Sequence, residues 1–259
     1  MLSFVSGCLL MAVVQLPPFD TLADEVLIAH VVQHILIGDV ASLLIVLGLT
    51  GPVLQPLLAT RISRGLRTLA RPIVALVLWA VNLYVWHLPV LYQLAITHDL
   101  VHALEHACLL WFGSLLWLSL LGPLPKPLWF EGWGSLGYVV AVRFIGAVLA
   151  NALIWAQTVF YPVYEHTDTA RRLGAATDQN VAGAVMMVEQ IILTTLLLAW
   201  LFIRFANRDE QRQALLDLAQ GQGTPLSDER AARAAAAGPG AAARLHARLL
   251  ERRKPSQRP

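Results

Sequence analysis

Histidines are the residues of this sequence whose type and spacing could do chemistry. Six of the eight fall into three groups, namely His30 with His34, His87 alone, and His98, His102 and His106 at four-residue spacing. Residues four apart share one face of a helix, so two of the groups can present imidazoles in pairs. Imidazole binds copper, zinc, iron and nickel. The pattern therefore predicts a multi-histidine metal site, provided that the groups meet in the fold.

The stretches that carry these histidines are strongly apolar. Hydrophobic residues make up 57% of the 259-residue chain and charged residues 14%, whereas soluble domains have about 25% charged residues. Several apolar runs reach the roughly 20 residues that a transmembrane helix needs. We expect an all-α integral membrane protein, a bundle of about six transmembrane helices. The predicted spans are about 2–16, 29–49, 72–94, 100–122, 135–160 and 180–204.

Other chemistries find little support in the sequence. Cys8 and Cys108 lie inside apolar runs without paired spacing, which argues against a disulfide framework or a zinc module. The sequence has no Gly-x-Ser-x-Gly, no phosphate-binding glycine loop and no His-Glu-x-x-His, so hydrolases and NTP-driven enzymes are not indicated. A net charge of +2 is too small to indicate nucleic-acid binding. We expect a protein that is not an enzyme.

Basic residues predict the orientation of the bundle. The 50–71 loop carries four arginines and no acid, and the chain from Arg204 onward carries eleven Lys or Arg. By the positive-inside rule, both segments are expected on the cytoplasmic side. We therefore predict both termini in the cytoplasm, a helical bundle over 1–205 and a cytoplasmic, helical or disordered tail over 206–259.

With this orientation, five histidines are expected on the outer side of the membrane. The second span would run inward, with His30 at its outer end and His34 one turn, about 6 Å, deeper. The third span would run outward and place His87 near its outer end. The fourth would start outside, so that His102 and His106 lie in its first turns. The three groups are therefore predicted at similar depth.

Other polar residues near this outer side are weaker candidates. Glu105 and Asp24 could be carboxylates that orient the imidazole rings from behind. His98 could instead be a polar anchor near a helix end, and His87 could satisfy the backbone that Pro89 leaves unpaired. The remaining weaker candidates lie in or near the last span: Asp178, Met186 and Glu189.

Short motifs follow one another in a characteristic order along the chain. They are Pro18-Phe19-Asp20-Thr21-Leu22-Ala23-Asp24, His30-x-x-Gln33-His34, Trp86-His87-Leu88-Pro89, His102-x-x-Glu105-His106, Tyr161-Pro162-Val163-Tyr164 and Asp178-Gln179. In this order they resemble the CtaG family of caa(3)-type cytochrome c oxidase assembly factors. The resemblance covers about 15–205 and leaves the C-terminal tail outside.

The resemblance implies a multi-pass protein of the bacterial inner membrane that helps to mature a haem–copper oxidase, at the copper-insertion step. It makes His30, His34, His87, His102 and His106 the candidate copper ligands, on the periplasmic side. Its partners would be an oxidase subunit or other assembly factors within the lipid bilayer. The residues alone leave three alternatives open: a b-type cytochrome with haem b on His34 and His106, a copper transporter, and a scaffold that binds no metal.

Overall fold

The structure is a computed structural model that describes residues 2–49, 62–124, 126–130, 132–167, 172–236 and 239–251. Every regular element in those ranges is helical, as the sequence predicted. Part of the arginine-rich 50–71 loop, residues 50–61, lies outside the described residues. The chain divides into two compact units, Met1–Thr194 and Thr195–Pro259.

The first unit contains most of the apolar helices. In chain order the helices are α1 (Leu2–Val13), α2 (Phe19–Glu25), α3 (Leu27–Gly48), α4 (Ile62–Leu69), α5 (Pro72–Trp86), α6 (Pro89–Thr97), α7 (Asp99–Leu121), α8 (Trp133–Trp155), α9 (Ala175–Gly221), α10 (Asp228–Ala236) and α11 (Pro239–Glu251). Helix α9 begins in the first unit and ends in the second.

Within the described ranges, four helices are long and apolar enough to cross a membrane, namely α3, α7, α8 and α9. They correspond to four of the predicted spans. The predicted span 72–94 is instead the pair α5 and α6, bent by 71°, because Pro89 has no N–H to continue a helix through His87 and Leu88. The predicted span 2–16 contains α1, whose 12 residues fall short of the roughly 20 that a crossing needs.

Helices α3 and α7 run side by side in the same direction with their backbones in close contact. A Cβ atom on Gly113 would overlap the carbonyl oxygen of Gly38, so only glycine fits there without a shift of one helix. One turn further on, the indole Nε1 of Trp117 donates a hydrogen bond of 3.1 Å to the carbonyl oxygen of Asp39. Small residues let transmembrane helices approach this closely.

The carbonyls at this contact belong to a π-helical turn of α3, Leu36–Ala41. Its wider winding leaves backbone carbonyls available to side chains, and the Ser42 hydroxyl donates a hydrogen bond to the carbonyl oxygen of Gly38. π-Helical turns are rare and are frequently found at functional sites. This one begins two residues after His34, the second histidine of α3.

The other helices of the first unit pack around this pair. Helix α1 lies antiparallel against the second half of α3, with Gly7 beside Ile45 and Phe4 beside Gly48. An apolar cluster is formed by residues of α3, α6, α8, α9 and the segment after α8. Its buried members include Leu27, Val31, Tyr92, Leu153, Tyr164 and Met186. Large apolar side chains of α5, α8 and α9 are exposed, as expected for faces that contact lipid.

The second unit has an apolar core of its own. The end of α9 packs against α10 and α11 through buried small and aliphatic side chains, namely Leu215, Ala219, Ala231, Ala242 and Leu249. Arg212 donates hydrogen bonds to Asp228 at 2.7 Å and to Asp209 at 2.9 Å. The part of the predicted tail that the structure describes is therefore mostly helical.

We predict that Gly113→Ala destabilises the protein by about 1–3 kcal/mol, because the added methyl group must push α3 and α7 apart. The matched control is Gly137→Ala on α8, where nothing lies within 4 Å of the added Cβ and where alanine favours the helix by about 0.5–1 kcal/mol. Thermal unfolding in mild detergent would measure both. Equal unfolding temperatures for the two variants would contradict a tight contact at Gly113.

Candidate metal centre

Four histidines form one cluster because α3 and α7 are parallel and in register. The ring of His30 stacks on that of His102, with centroids 5.3 Å apart and planes inclined by 17°, and His34 meets His106 edge to face at 5.5 Å. Along each helix, the i,i+4 partners have ring centroids 4.1 Å apart on α3 and 4.3 Å apart on α7. The structure therefore brings together two of the predicted groups.

Glu105 lies at the centre of this cluster. Its Oε2 atom is 3.9 Å from Nε2 of His30 and 3.7 Å from Nε2 of His34, and its side chain is fully buried. The donor atoms of His30, His34, His102 and Glu105 all lie within 4.8 Å of one another. Metal–ligand distances of about 2.1 Å place tetrahedral donors about 3.4 Å apart. A shift of about 1 Å would therefore let the four side chains bind one ion.

The polar atoms of the cluster are buried without hydrogen-bond partners in the described part of the chain. They include both ring nitrogens of His34, both carboxylate oxygens of Glu105, and Nε2 of His30, His102 and His106. Each buried, unsatisfied group costs about 1–3 kcal/mol, and a charged one costs more. Such groups are rare in folded proteins and require an explanation. A cation among these donors would satisfy several of them at once.

His87 lies beside the cluster, at the bend between α5 and α6. Its Nδ1 is 2.7 Å from the carbonyl oxygen of Leu83, which can only accept, so Nδ1 carries the proton and Nε2 keeps a free lone pair. The His87 ring is 6.5 Å from the ring of Tyr92, which is itself 5.0 Å from the ring of His30. His87 is thus separate from the four-donor group (His30, His34, His102 and Glu105), and the ring of Tyr92 lies between His87 and that group.

Tyr92 packs against the cluster, with its ring 5.0 Å from that of His30, and Tyr161 and Tyr164 pack against Tyr92. The rings of Tyr92 and Tyr161 are 4.1 Å apart, and the Tyr161 hydroxyl donates to the carbonyl oxygen of His87 at 2.9 Å. The Tyr164 hydroxyl donates to the carbonyl oxygen of Ala23 at 3.3 Å and lies 3.1 Å from the Tyr92 hydroxyl. Burial raises the pKa of Tyr161 and of Tyr164, so both phenols are neutral near pH 7. They exclude water from one side of the cluster.

Asp178 lies at the N-terminus of α3 rather than in the cluster. Its carboxylate accepts hydrogen bonds from the backbone N–H groups of Leu27 at 2.8 Å and Ile28 at 3.0 Å. A carboxylate there satisfies donors that the helix leaves free and interacts favourably with the helix dipole. The neighbouring Gln179 accepts a hydrogen bond from the backbone N–H of Phe160 at 2.7 Å. This Asp-Gln step therefore fixes the start of α3 and the segment after α8.

Gln33 occupies the same place in the α3 motif as Glu105 does in the α7 motif. Its Nε2 donates to the carbonyl oxygen of Val14 at 2.7 Å and to Oδ1 of Asp20 at 3.1 Å. Gln33 thus connects α3 to the residue after α1 and to α2, whereas Glu105 points among the imidazoles. Gln33 was not among the predicted site residues, although its position inside the His30-x-x-Gln33-His34 motif indicated a structural or functional role.

The other weaker candidates lie outside the four-donor group. His98 is exposed at the start of α7, and Met186 is buried in an apolar core. Glu189 lines an apolar groove of about 480 Å³ on α9. Asp24 is at the surface, where partial burial and the Asp20 carboxylate raise its pKa above the ordinary value while His102 lowers it. Of the weaker candidates, only Glu105 joins the histidines in that group.

Comparison with known proteins identifies one family. The family model for the cytochrome c oxidase caa3 assembly factor (Caa3_CtaG) matches residues 1–208. No curated protein and no solved structure gives a significant match to the chain. The matched range contains both histidine motifs, the three tyrosines and the Asp178 cap, and it leaves α10 and α11 outside.

We predict that Asp178→Ala destabilises the protein by about 0.5–2 kcal/mol, because α3 loses its cap. Asp178→Asn keeps one acceptor oxygen and should lose less. The control is Asp217→Ala on the exposed part of α9, which should change stability by less than about 0.5 kcal/mol. Thermal unfolding in detergent would measure all three. If Asp178→Ala and Asp217→Ala unfold alike, the capping role is wrong.

Proposed function

The chain belongs to the cytochrome c oxidase caa3 assembly-factor family, and on that basis we propose that it holds copper on the histidine cluster and helps to insert it into a haem–copper oxidase. The observation that supports copper binding is the convergence of His30, His34, His102 and Glu105, whose buried donor atoms largely lack hydrogen-bond partners among the described residues. Copper would be the cargo of the protein, delivered to an oxidase subunit directly or through other assembly factors.

The burial of the donors suggests how an ion would be taken up and released. His30 and Glu105 are fully buried, whereas His102 is only half-buried. We therefore infer that an ion reaches the cluster past His102 and leaves the same way. Imidazole ligands can be replaced one at a time by ligands of a client protein, which suits transfer better than a closed set of four thiolates. No catalytic step is needed, in keeping with a protein that is not an enzyme.

For the membrane arrangement we propose six spans, both termini in the cytoplasm and the cluster facing the periplasm of a bacterial inner membrane. Because α3 and α7 are parallel and carry their histidines in their first turns, the two motifs lie at the same end of the bundle. The arginine-rich 50–71 loop follows the other end of α3, and the positive-inside rule puts it in the cytoplasm. In this arrangement the bent pair α5–α6 is one span and the segment 2–16, in which α1 alone is shorter than a full crossing, is the other. Together they complete the count over 1–205, and the tail 206–259 is cytoplasmic.

The ring packing favours an ion over a haem. In a bis-histidine haem the two axial imidazoles stand on opposite faces of a planar macrocycle. The rings of His34 and His106 are 5.5 Å apart, and each also packs against a further histidine at 4.1–4.3 Å. A macrocycle between them would have to displace His30 and His102.

We predict that the double variant His34→Ala/His106→Ala loses copper, with an affinity more than about 100-fold weaker than that of the wild type. The matched control is His98→Ala/His166→Ala, which removes two exposed histidines outside the cluster. Copper per protein after purification in mild detergent, together with oxidase activity of cells that carry each variant, would measure the effect. The control should keep both copper and oxidase activity.

Three results would contradict this proposal in different ways. Equal copper content in the double variant and the wild type would indicate a scaffold that binds no metal at the cluster. A Soret band after reduction with dithionite would indicate a haem protein. Uptake of labelled copper into proteoliposomes that grows with time would indicate a transporter, whereas a flat time course fits a carrier that hands over its ion.

A further inference from the structure

We propose that Glu105 is itself a copper ligand, and that three imidazoles with one carboxylate make the site selective for the divalent ion. This inference rests on the proposed function and deepens it, since copper binding alone leaves the oxidation state open. It also assigns Glu105 a direct role in place of the orienting role that the sequence suggested. The bound ion would be Cu(II), held by His30, His34, His102 and Glu105.

The position of Glu105 differs from that of a carboxylate that orients a ligand. An orienting carboxylate accepts a hydrogen bond from one ring nitrogen and leaves the other nitrogen to the metal. Oε2 of Glu105 instead faces Nε2 of His30 and Nε2 of His34, at 3.9 and 3.7 Å. Both distances are too long for hydrogen bonds. Atoms that converge in this way without bonding one another are placed as donors to a common ion.

The donor set suits a divalent ion. Soft thiolate and thioether ligands select Cu(I), whereas nitrogen and oxygen ligands suit Cu(II). The four-donor group contains no sulfur. The sulfur of Met187 lies 2.8 Å from the Arg143 guanidinium, and Met186 is buried in the apolar core. At such an N/O site, Cu(II) also binds more tightly than Zn(II).

The charge of Glu105 supports the same conclusion. Imidazoles are neutral ligands, so a site made of histidines alone would bury both charges of a divalent ion inside the bundle. Burying charge away from water is costly unless an opposite charge lies close. As a metal ligand, the deprotonated carboxylate of Glu105 would supply one negative charge at a fully buried position, next to two of the three histidines. The carboxylate therefore lowers the cost of holding a dication there.

The test compares copper in its two oxidation states on the purified full chain. Competition with chelators gives the affinities for Cu(II), for Zn(II) and, under anaerobic reducing conditions, for Cu(I). X-ray absorption and electron paramagnetic resonance of the Cu(II)-loaded protein give the ligand set. We expect Cu(II) to bind most tightly, with three imidazole nitrogens and one carboxylate oxygen.

The key variant is Glu105→Gln, which keeps the size of the side chain and removes its charge. Removing a residue that hydrogen-bonds to a metal ligand weakens metal binding by about 10–100-fold. Removing a ligand itself should therefore weaken Cu(II) binding by more than about 100-fold. Cu(I) binding should change by less than about tenfold, since two imidazoles suffice for it. The matched control is Glu189→Gln, a carboxylate of α9 outside the group, which should leave both affinities unchanged.

The outcomes separate this inference from the proposed function. Tight Cu(I) binding with weak Cu(II) binding would overturn the inference and leave the copper function standing, as would Zn(II) binding more tightly than Cu(II). Failure of the wild type to bind either copper ion would overturn both. If Glu105→Gln does not fold, electron paramagnetic resonance of the Cu(II)-loaded wild type still decides, because g and hyperfine values of four-nitrogen ligation contradict the inference.

Discussion

Two parallel helices touch at the backbone where Gly113 of α7 meets the carbonyl of Gly38 of α3, and the candidate site depends on that contact. Helices separated by larger side chains would hold their first turns too far apart for the imidazoles of one to stack on those of the other. The glycine contact fixes the distance between α3 and α7, and the bond from Trp117 to the carbonyl of Asp39 lies just beyond it. The register and the distance of the two helices together stack the ring of His30 on that of His102 and bring the ring of His34 edge to face with that of His106.

The cluster also shows how a membrane protein can keep polar groups together in apolar surroundings. The tyrosine hydroxyls bond to backbone carbonyls and to one another, whereas most imidazole nitrogens of the cluster and both oxygens of the Glu105 carboxylate have no hydrogen-bond partner among the described residues. His87 likewise uses one ring nitrogen, Nδ1, for a hydrogen bond to the backbone carbonyl oxygen of Leu83. In the part of the chain that the structure describes, the polar groups around the cluster have hydrogen-bond partners and most of those at its centre do not, an arrangement that suits a preorganised ion site.

The sequence predicted the histidine pairing because four-residue spacing is a local property of helices, and it predicted a helical membrane protein because apolar runs report burial in lipid. It did not predict the bend at His87, since a proline can end a helix or only kink it. The role of Glu105 depends on which face of α7 meets α3, a property of tertiary packing. The cap of α3 by Asp178 joins residues 151 positions apart, which no local pattern reveals.

That distant cap has a consequence for the order in which the protein matures. Ribosomes make α3 first, and its histidines enter the membrane long before the residue that completes the start of the helix has been synthesised. A nascent chain that ends after α8 would possess both histidine motifs and still lack the carboxylate that holds Leu27 and Ile28. Without this cap the first turn of α3 can fray, and the imidazole of His30, which that turn carries, is then held less firmly. The geometry of the cluster is therefore a property of the completed polypeptide, and partly synthesised chains would hold the imidazoles less firmly.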